Sequence, residues 1–565
     1  MDAHLHDRPL PIGFQPASGG WSVQDASGAP AEDARIAQAA QKIRDNFAVF
    51  DDAVRRAERL FEARRHSAAA AQATIAACIA TDTHCGIFAS PRLELLLTRI
   101  GRHVRGGTEI PFTRPTKVER VLHIATQVFP IGGHTKMLQR WIESDPERRH
   151  TLALTQQRQR PPADLVAAVR QSGGTIHHRL NRRIGGLRTA VRELRRLARQ
   201  HDLIVLHIGN ADVLPLIAFA ETIDYPPVLF VNHADHLFWI GTSVSAVVGG
   251  MRQAAMTLAE ERRHVEACRS VSLPILIEPT ARKRSRAEAK LALGLDPDTV
   301  LLVSLARAEK YRTMNGESYA DLHVPLLHRH PEAQLMVVGA GERPDWAAAS
   351  AAVGGRIQPL TPRAPHLYLE AADIYLDSQP FCSATSMMEA SGYGLPCATR
   401  FVLPEAARIC GMDHPGLRGP LIEVSTATAY CEQVSGLIED ADRRREIGAA
   451  TRASVTASNV TPGWCRYREE AYTRALSLPP VSTALLEAAG PDAPSFGEPD
   501  LRIEDIYGVA RPPHQLLKEH LSLFPLRERL EGWRSTRAAG GFVSVKEAAR
   551  VLLPEWMIRI LKDGY

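Results

Sequence analysis

The spacing of hydrophobic positions along this 565-residue chain changes near residue 118. Before that point, apolar residues recur three or four positions apart, which is typical of helices packed by one face. After it, short apolar runs of strand length alternate with amphipathic helical stretches, beginning with the run at residues 118–126. Alternation of this kind predicts βαβ units and parallel sheets.

Two such alternating blocks follow one another, joined by a polar linker that ends near residue 299. The strands predicted for the first block lie at residues 118–126, 150–155, 175–180, 202–208 and 227–233. Those predicted for the second lie at residues 300–306, 334–340, 355–360, 373–378 and 394–399. The predicted fold class is therefore α/β, with two Rossmann-like doubly wound domains facing a cleft. Ligands of such sheets bind beyond the carboxyl ends of the strands, so we expect the chemistry in that cleft.

Flanking segments complete the predicted organisation. A Pro-, Gly- and Ser-rich flexible N-terminus precedes an α-helical region, and an irregular C-terminal extension follows the second lobe. The helix at residues 462–476 is a candidate to cross back to the first lobe. The predicted segments are residues 1–32, 33–116, 117–277 (acceptor lobe), 278–478 (nucleotide-sugar lobe) and 479–565.

The two flanking helical segments each allow two interpretations. Two helices joined near His66 resemble one tetratricopeptide unit, but a single unit cannot bury its own face. A helical cap on the next domain is therefore favoured over a partner-binding repeat. The C-terminal stretch EWMIRILKDGY is amphipathic and basic, so it could associate peripherally with a membrane surface or pack on the body of the protein.

Composition narrows the function classes. The first residues lack the pattern of a signal peptide, and no run of about 18 apolar residues predicts a membrane span. The eight cysteines are scattered, which indicates a reducing cytoplasm and neither a disulfide framework nor structural zinc. The formal net charge is +5, and the most basic stretch, residues 179–199, is explained by a solvated helix face. Nucleic acid is therefore not an expected partner.

Small polar residues mark a candidate phosphate site in the second block. Ser383, Thr385 and Ser386 precede or open a predicted helix, and Glu389 lies one turn further on. Free N–H groups at a helix start attract a diphosphate, and a carboxylate one turn later can accept the hydroxyls of a ribose. The same pattern also fits a plain N-cap, with Thr385 as the capping residue.

The surrounding segment, residues 356–399, resembles the donor domain of the O-linked N-acetylglucosamine transferase family and its bacterial relatives. The resemblance is carried by Pro359-Leu360, by Arg363 and His366, by ADIYLD at residues 372–377, by the Thr385-Ser386 pair, by Glu389 and by Gly394-Leu395-Pro396. It implies a GT-B glycosyltransferase whose diphosphate lies on Thr385 and Ser386, with the ribose on Glu389 and the nucleobase near Arg363 and His366. The chain departs from the family at Ala384, where a His is usual, and at Glu389, where an Asp is usual.

A basic loop follows the first strand of the same block. Arg307 and Lys310 lie three residues apart at its end. The resemblance implies that Lys310 contacts the donor phosphates, where a fixed cation stabilises the charge that develops on the leaving diphosphate. The alternative is that both are surface residues.

A glycine-containing loop in the first block offers a first candidate for the catalytic base. Gly132 and Gly133 permit a tight turn near a ligand, and His134 follows them. The loop lacks the third glycine of the dinucleotide fingerprint, which excludes NAD binding here. An imidazole is suited to take the proton of an acceptor hydroxyl.

The second candidate base lies past the fifth strand of that block, in the stretch VNHADHLFWIG. His233, Asp235 and His236 fall within four residues, and one of the histidines could be purely structural. Their spacing in a loop is weak evidence for a metal site, so no metal and no cofactor beyond the co-substrate are expected.

These residues predict a metal-independent glycosyltransferase. The donor would be a nucleoside-diphosphate sugar, with UDP as the favoured nucleotide, and the acceptor a hydroxyl of a glycan, glycolipid or protein. Retaining enzymes of this fold commonly carry a Glu eight residues before the first acid, but Phe381 stands there, which favours inversion. The alternatives are a retaining enzyme, a nucleotide-sugar epimerase of the same fold and a non-catalytic scaffold.

Overall fold

The computed structural model describes residues 28–104, 112–130, 133–178, 180, 184–313, 316–508 and 512–563. Three helices come first: α1 (Gly28–Glu62), α2 (His66–Asp82) and α3 (Pro91–His103). The break between α1 and α2 lies where the sequence predicts it, near His66. Most of the predicted flexible N-terminus, residues 1–27, lies outside the described residues.

The first sheet has seven parallel strands in the order β3-β2-β1-β4-β5-β6-β7. Its strands are β1 (Arg120–Ala125), β2 (Arg149–Leu154), β3 (Ile176–His177), β4 (Leu203–His207), β5 (Val228–Asn232), β6 (Val247–Gly250) and β7 (Ser270–Ser272). Its helices are α4 (Gly133–Glu143), α5 (Ala163–Gln171), α6 (Gly186–Ala198), α7 (Val213–Ala218) and α8 (Gln253–Arg262).

The second sheet has six parallel strands in the order β10-β9-β8-β11-β12-β13. Its strands are β8 (Val300–Leu305), β9 (Ala333–Val338), β10 (Ile357–Leu360), β11 (Ile374–Leu376), β12 (Cys397–Arg400) and β13 (Ile422–Val424). Its helices are α9 (Arg286–Ala292), α10 (Tyr319–Arg329), α11 (Ala347–Ala352), α12 (His366–Ala371), α13 (Ala384–Gly392), α14 (Ala427–Glu439) and α15 (Ala441–Asn459). The predicted α/β class with two doubly wound parallel sheets is confirmed.

The next helix, α16 (Cys465–Ser477), returns to the first sheet. The Nε1–H of Trp141 on α4 donates to the Tyr472 hydroxyl at 2.9 Å, and that of Trp464 donates to the Pro274 carbonyl at 2.7 Å. Six helices follow it: α17 (Ala484–Ala488), α18 (Glu498–Tyr507), α19 (Pro513–His520), α20 (Leu526–Ala538), α21 (Val545–Arg550) and α22 (Glu555–Asp563). No helix in the described part of the chain is both long and apolar enough to cross a membrane.

The N-terminal helices share a hydrophobic core with the first sheet. Phe50 packs edge-on against Phe238, with ring centroids 6.0 Å apart. The buried carboxylate of Glu94 on α3 accepts hydrogen bonds from the backbone N–H groups of Gly241, Thr242 and Ser243. These contacts are those of a cap on the first sheet, which is the interpretation favoured from the sequence.

Candidate functional site

Both sheets have a point where the chain order reverses, and the candidate residues gather there. In the first sheet the reversal falls between β1 and β4, and in the second between β8 and β11. The loops after these strands diverge at the carboxyl edge and leave a crevice between them. His134 follows β1, Lys310 follows β8, and Ser383 follows β11.

The start of α13 is open for an anion. Ser383 is its N-cap residue, but its hydroxyl makes no cap and instead bonds to the hydroxyl of Ser386 at 3.2 Å. Thr385 is not the capping residue, and its half-buried hydroxyl has no hydrogen-bond partner among the described residues. The first N–H groups of a helix lack intrahelical acceptors. This helix start therefore retains the donors that a diphosphate requires.

Lys310 reaches the same place from the loop after β8. Its ammonium donates to the carbonyl of Cys382 at 2.5 Å, just before the helix start. Burial lowers the pKa of Lys310, while the nearby carboxylate of Asp377 opposes that change. Arg307 is exposed, three residues earlier. Lys310 is therefore the better placed of the two predicted cations.

Asp377 is a site residue that the sequence reasoning did not single out. It follows β11, and its carboxylate accepts from the backbone N–H of Ser383 at 2.8 Å and from the Thr399 hydroxyl at 3.1 Å. Burial raises the pKa of Asp377 to about 6, against the opposing effects of that N–H and of Lys310. The carboxylate holds the backbone at the start of α13. Its position directly after a strand, in the ADIYLD stretch, was the available signal.

Glu389 lies one turn into α13 and is half-buried. Burial raises its pKa, and the guanidinium of Arg140 on α4 opposes the change from 3.9 Å. Arg140 also donates a hydrogen bond to Glu278 at 3.1 Å. Glu389 therefore faces a guanidinium that belongs to the first lobe and is itself held in place. His366, at the start of α12, also acts electrostatically on Glu389 and bonds the Tyr393 hydroxyl at 3.0 Å.

Arg363 is exposed in the loop between β10 and α12. That loop follows the carboxyl end of β10, on the same edge of the sheet as the start of α13. Arg363 makes no hydrogen bond or ion pair with the other residues that the structure describes. Its guanidinium is therefore available to a ligand.

Gly133, the first residue of α4, approaches the start of α13. A Cβ built on Gly133 would lie 3.5 Å from the hydroxyl oxygen of Thr385. The two lobes thus come so close at the candidate diphosphate site that one added carbon atom at Gly133 would make a van der Waals contact with Thr385. Gly132, the other glycine of the predicted loop, lies outside the described residues.

The two candidate bases lie side by side. The rings of His134 and His233 are 4.5 Å apart between centroids. The Nε2–H of His134 donates to the carbonyl of His207 at 2.8 Å, which leaves its Nδ1 as a lone pair. Burial lowers the pKa of His134 and lowers that of His233 well below its ordinary value. Burial therefore favours the neutral form of both imidazoles, which is the form that a base requires.

A third imidazole, that of His207, was not predicted to belong to the site. Its Nδ1 is hydrogen-bonded to Nε2 of His233 at 3.1 Å. Side-chain nitrogens of His134, His207 and His233 all lie within 4.8 Å of one another. The hydrogen bond between His207 and His233 requires a proton between the two nitrogens, so a cation could enter only by replacing it. In the observed geometry the rings of His207 and His233 are hydrogen-bonded to each other, and the ring of His134 is hydrogen-bonded to the His207 carbonyl.

Asp235, the acid predicted to lie near His233, pairs with Arg252 instead. The Asp235 carboxylate forms a two-point ion pair with Arg252, at 2.6 and 2.7 Å, and this pairing holds its pKa far below the ordinary range against the effect of burial. Its contact with Nδ1 of His236 is longer, at 3.4 Å. Asp235 therefore fixes the loop after β5 and does not contact His233 among the described hydrogen bonds.

The C-terminal extension also reaches the cleft, which no motif indicated. The ring of Tyr507, at the end of α18, lies 4.6 Å from that of His236 and 4.8 Å from that of Phe381, between centroids. Arg312 stacks over Phe381 at 4.7 Å and donates to the Ile506 carbonyl. The position eight residues before Glu389 thus lies in an aromatic cluster.

Known proteins resemble this chain in structure rather than in sequence. No protein-family model matches it, and no curated protein matches its sequence significantly. A mutant O-GlcNAc transferase from Thermobaculum terrenum aligns over 74% of this chain and 79% of its own, with 18% identity and a TM-score of 0.45. The Anabaena HepE structure with UDP and glucose aligns over 63% and 99%, with 14% identity and a TM-score of 0.47. A Rickettsia africae glycosyltransferase aligns over 64% and 99%, with 11% identity and a TM-score of 0.49. At these values the likenesses decide neither the family nor the activity.

Proposed function

We propose that the protein is a glycosyltransferase that moves a sugar from a nucleoside-diphosphate sugar to an acceptor hydroxyl. One observation carries the proposal: at the carboxyl edge of the second sheet, the start of α13 brings together free N–H donors, the Thr385 hydroxyl and the Lys310 ammonium, and Glu389 lies one turn further on. These groups match a diphosphate followed by a ribose. UDP is the favoured nucleotide, and the acceptor belongs to a glycan, glycolipid or protein.

The leaving group requires charge stabilisation, which the chain itself can provide. As the bond to the sugar breaks, negative charge grows on the distal phosphate, where a fixed ammonium and helix N–H donors act without reorganisation. Lys310 and the start of α13 supply both. We therefore propose a reaction without a metal ion or other cofactor.

We further propose inversion at the sugar carbon. An inverting reaction needs a base for the acceptor hydroxyl, and His134 and His233 both provide a neutral imidazole at the carboxyl edge of the first sheet. Phe381 lies among Tyr507 and Arg312, so its position offers no carboxylate nucleophile. A stereochemical analysis of the product by NMR would contradict inversion if the anomeric configuration were retained.

Nucleotide binding tests the donor site directly. A thermal-shift screen with UDP, GDP, TDP and CMP should give the largest stabilisation with UDP, and both Lys310→Ala and Glu389→Ala should abolish it. Lys117→Ala and Glu446→Ala remove an exposed cation and an exposed acid outside the site and should leave the shift unchanged. Unchanged shifts in both site variants would refute the donor site.

The remaining alternatives give different outcomes in the same experiments. An epimerase would convert the sugar of a UDP-sugar without any acceptor, and a scaffold would show no shift with any nucleotide. The cytoplasmic location, with or without peripheral membrane association, stays a prediction. Cell fractionation with and without residues 555–563 tests it.

A further inference from the structure

Four imidazoles form a continuous hydrogen-bonded row through the interior of the first lobe. His233 bonds His207 at 3.1 Å, His207 bonds His123 at 3.1 Å, and His123 bonds His150 at 2.9 Å, in each case between ring nitrogens. At the far end, Nε2 of His150 lies 3.1 Å from the Asp145 carbonyl and 3.4 Å from the Asp145 carboxylate. The row thus begins at the candidate base and ends at a buried acid.

The strand register explains why the four rings meet. His150 on β2 is paired with Val121 on β1, His123 lies two residues further along β1, and His207 on β4 is paired with Ala125. Each step therefore crosses one strand and advances two residues, which keeps every side chain on the same face of the sheet. The row runs diagonally from the amino edge of the sheet to its carboxyl edge, where His233 follows β5.

When all four rings are neutral, the hydrogen bonds between them can run from donor to acceptor in only one direction along the row. A carbonyl only accepts hydrogen bonds, so His150 must donate its Nε2–H to Asp145 and accept at Nδ1. The same assignment then passes along the row, with each Nε2–H donating to the next Nδ1. At the carboxyl edge, Nδ1 of His233 is left as a lone pair. His134 is outside this row, because its Nε2–H ends on a backbone carbonyl.

We propose that His233, rather than His134, is the base for the acceptor hydroxyl, and that His207 and His123 relay the proton to His150, whose positive charge the Asp145 carboxylate balances. This inference rests on the proposed function. The acceptor O–H bond breaks as Nδ1 of His233 takes the proton, and its Nε2 proton passes to Nδ1 of His207. Two further transfers leave His150 with protons on both nitrogens, as an imidazolium beside the Asp145 carboxylate. The reverse transfers return the proton to the cleft once the products have left.

Burial explains why the relay is useful. A charge on His233, His207 or His123 would be desolvated, and burial holds the pKa of all three well below the ordinary value. Only His150 has a carboxylate beside it. At His150 the Asp145 carboxylate offsets part of the cost of burying the positive charge.

The groups around the row exclude water and fix its charged end. Trp141 on α4 packs over the row, with its ring 5.9 Å from His123 and 5.6 Å from His207, and Trp464 and Tyr472 pack in turn against Trp141. The charged groups at the amino end are Asp145, Arg148 and Arg468; the two arginines approach Asp145 Oδ1, whereas Oδ2 is the atom nearer His150. His201 also acts electrostatically on His123.

The tautomers provide a test that needs no substrate. In protein labelled with ¹⁵N at histidine, long-range ¹H–¹⁵N spectra assigned by single substitutions should show His123, His207 and His233 protonated at Nε2. The substitution His150→Phe removes the group that sets the direction, so the remaining signals should change tautomer or average. Nδ1 protonation of His207 in the unaltered protein would overturn the relay.

Turnover provides the second test, with water as acceptor and UDP release from UDP-N-acetylglucosamine and UDP-glucose as the measurement. His123→Ala should lower kcat by about tenfold or more without changing KM for the donor. The base His233 remains in this variant, but the positive charge that it gains can no longer move to His150. Added imidazole can fill the space left by the side chain and should restore turnover. His177→Ala, which removes a half-buried histidine on β3 of the same sheet outside the row, should leave kcat unchanged.

The failures of the two proposals are distinguishable. If the unaltered protein neither binds UDP nor releases it from a sugar, the glycosyltransferase proposal fails. If it turns over and His123→Ala turns over equally well, or if elemental analysis finds one zinc per chain held by these histidines, the relay alone is overturned.

Discussion

At the Lys310 ammonium, charge and burial act in opposite directions. Burial lowers the pKa of this ammonium, whereas the nearby carboxylate of Asp377 raises it. The ammonium donates a hydrogen bond to the carbonyl of Cys382, just before α13. We expect Lys310→Ala to lower kcat/KM for UDP release by at least about 10²- to 10³-fold, the usual cost of losing one fixed donor to a developing anion. Arg307→Ala removes an exposed cation from the same loop and should cost less than about tenfold. Equal losses in the two variants would contradict the assignment of Lys310.

The buried carboxyl of Asp377 makes a stability prediction with a definite sign. Its pKa is raised from 3.8 to about 6, so the folded state binds the proton more tightly than the unfolded chain does. Its contribution is therefore fully present below about pH 4 and is lost as the pH rises through 6, by about 3 kcal/mol in all. Asp377→Asn keeps an oxygen for the Ser383 N–H and should lack this dependence. Urea unfolding of both proteins between pH 4 and 7.5 measures it, and parallel pH profiles would count against the raised pKa.

At the scale of elements, Gly133, the first residue of α4, lies close to the start of α13. A Cβ at Gly133 would make only an ordinary contact with Thr385, and the backbone there does not require glycine. We therefore expect Gly133→Ala to preserve the thermal shift with UDP. Gly133→Leu should abolish it without lowering the unliganded melting temperature, because the larger side chain fills the diphosphate position. A normal shift in the leucine variant would show that the nucleotide lies elsewhere.

Strands formed by long apolar runs that alternate with helices were predictable, and the short strands at or next to the sheet edges were not. The strand predicted at residues 175–180 is reduced to Ile176–His177 at the sheet edge, and β6, β7 and β13 were not predicted. β6 reads VVGG, and β7 and β13 have only three residues each, so their pairing depends on the neighbouring strand more than on their own pattern.

The donor half of the site was visible in the sequence because its residues are contiguous around one helix start. The imidazole row was not, since His123, His150 and His207 each stand alone in an apolar run. A single histidine in a buried strand is interpreted as a core residue. His150, His123, His207 and His233 become neighbours only through the strand order β2-β1-β4-β5. Long-range pairing of this kind carries no local signal.

At the scale of the whole molecule, the C-terminal extension is held to the N-terminal region by a buried acid. The Asp500 carboxylate on α18 is fully buried and pairs with His84 at 3.1 Å and Arg262 at 3.0 Å. Asp500→Ala should lower the free energy of unfolding by about 3–5 kcal/mol, because it leaves buried partners uncompensated. Asp442→Ala breaks an exposed pair and should cost less than about 1 kcal/mol. Denaturant unfolding distinguishes them, and equal costs would refute a structural role for Asp500.

The contacts between the two ends of the chain have a consequence for synthesis. Gly86 accepts a hydrogen bond from Ser495, Ser90 bonds Asp492, and Arg65 pairs with Glu528, each across more than 400 residues. A ribosome releases the N-terminal helices long before these partners exist. Their polar groups and apolar faces must therefore stay unpaired, or be shielded by other contacts, until residues 492–528 have been synthesised. Docking of the N-terminal region against the C-terminal extension thus cannot begin before that extension has left the ribosome.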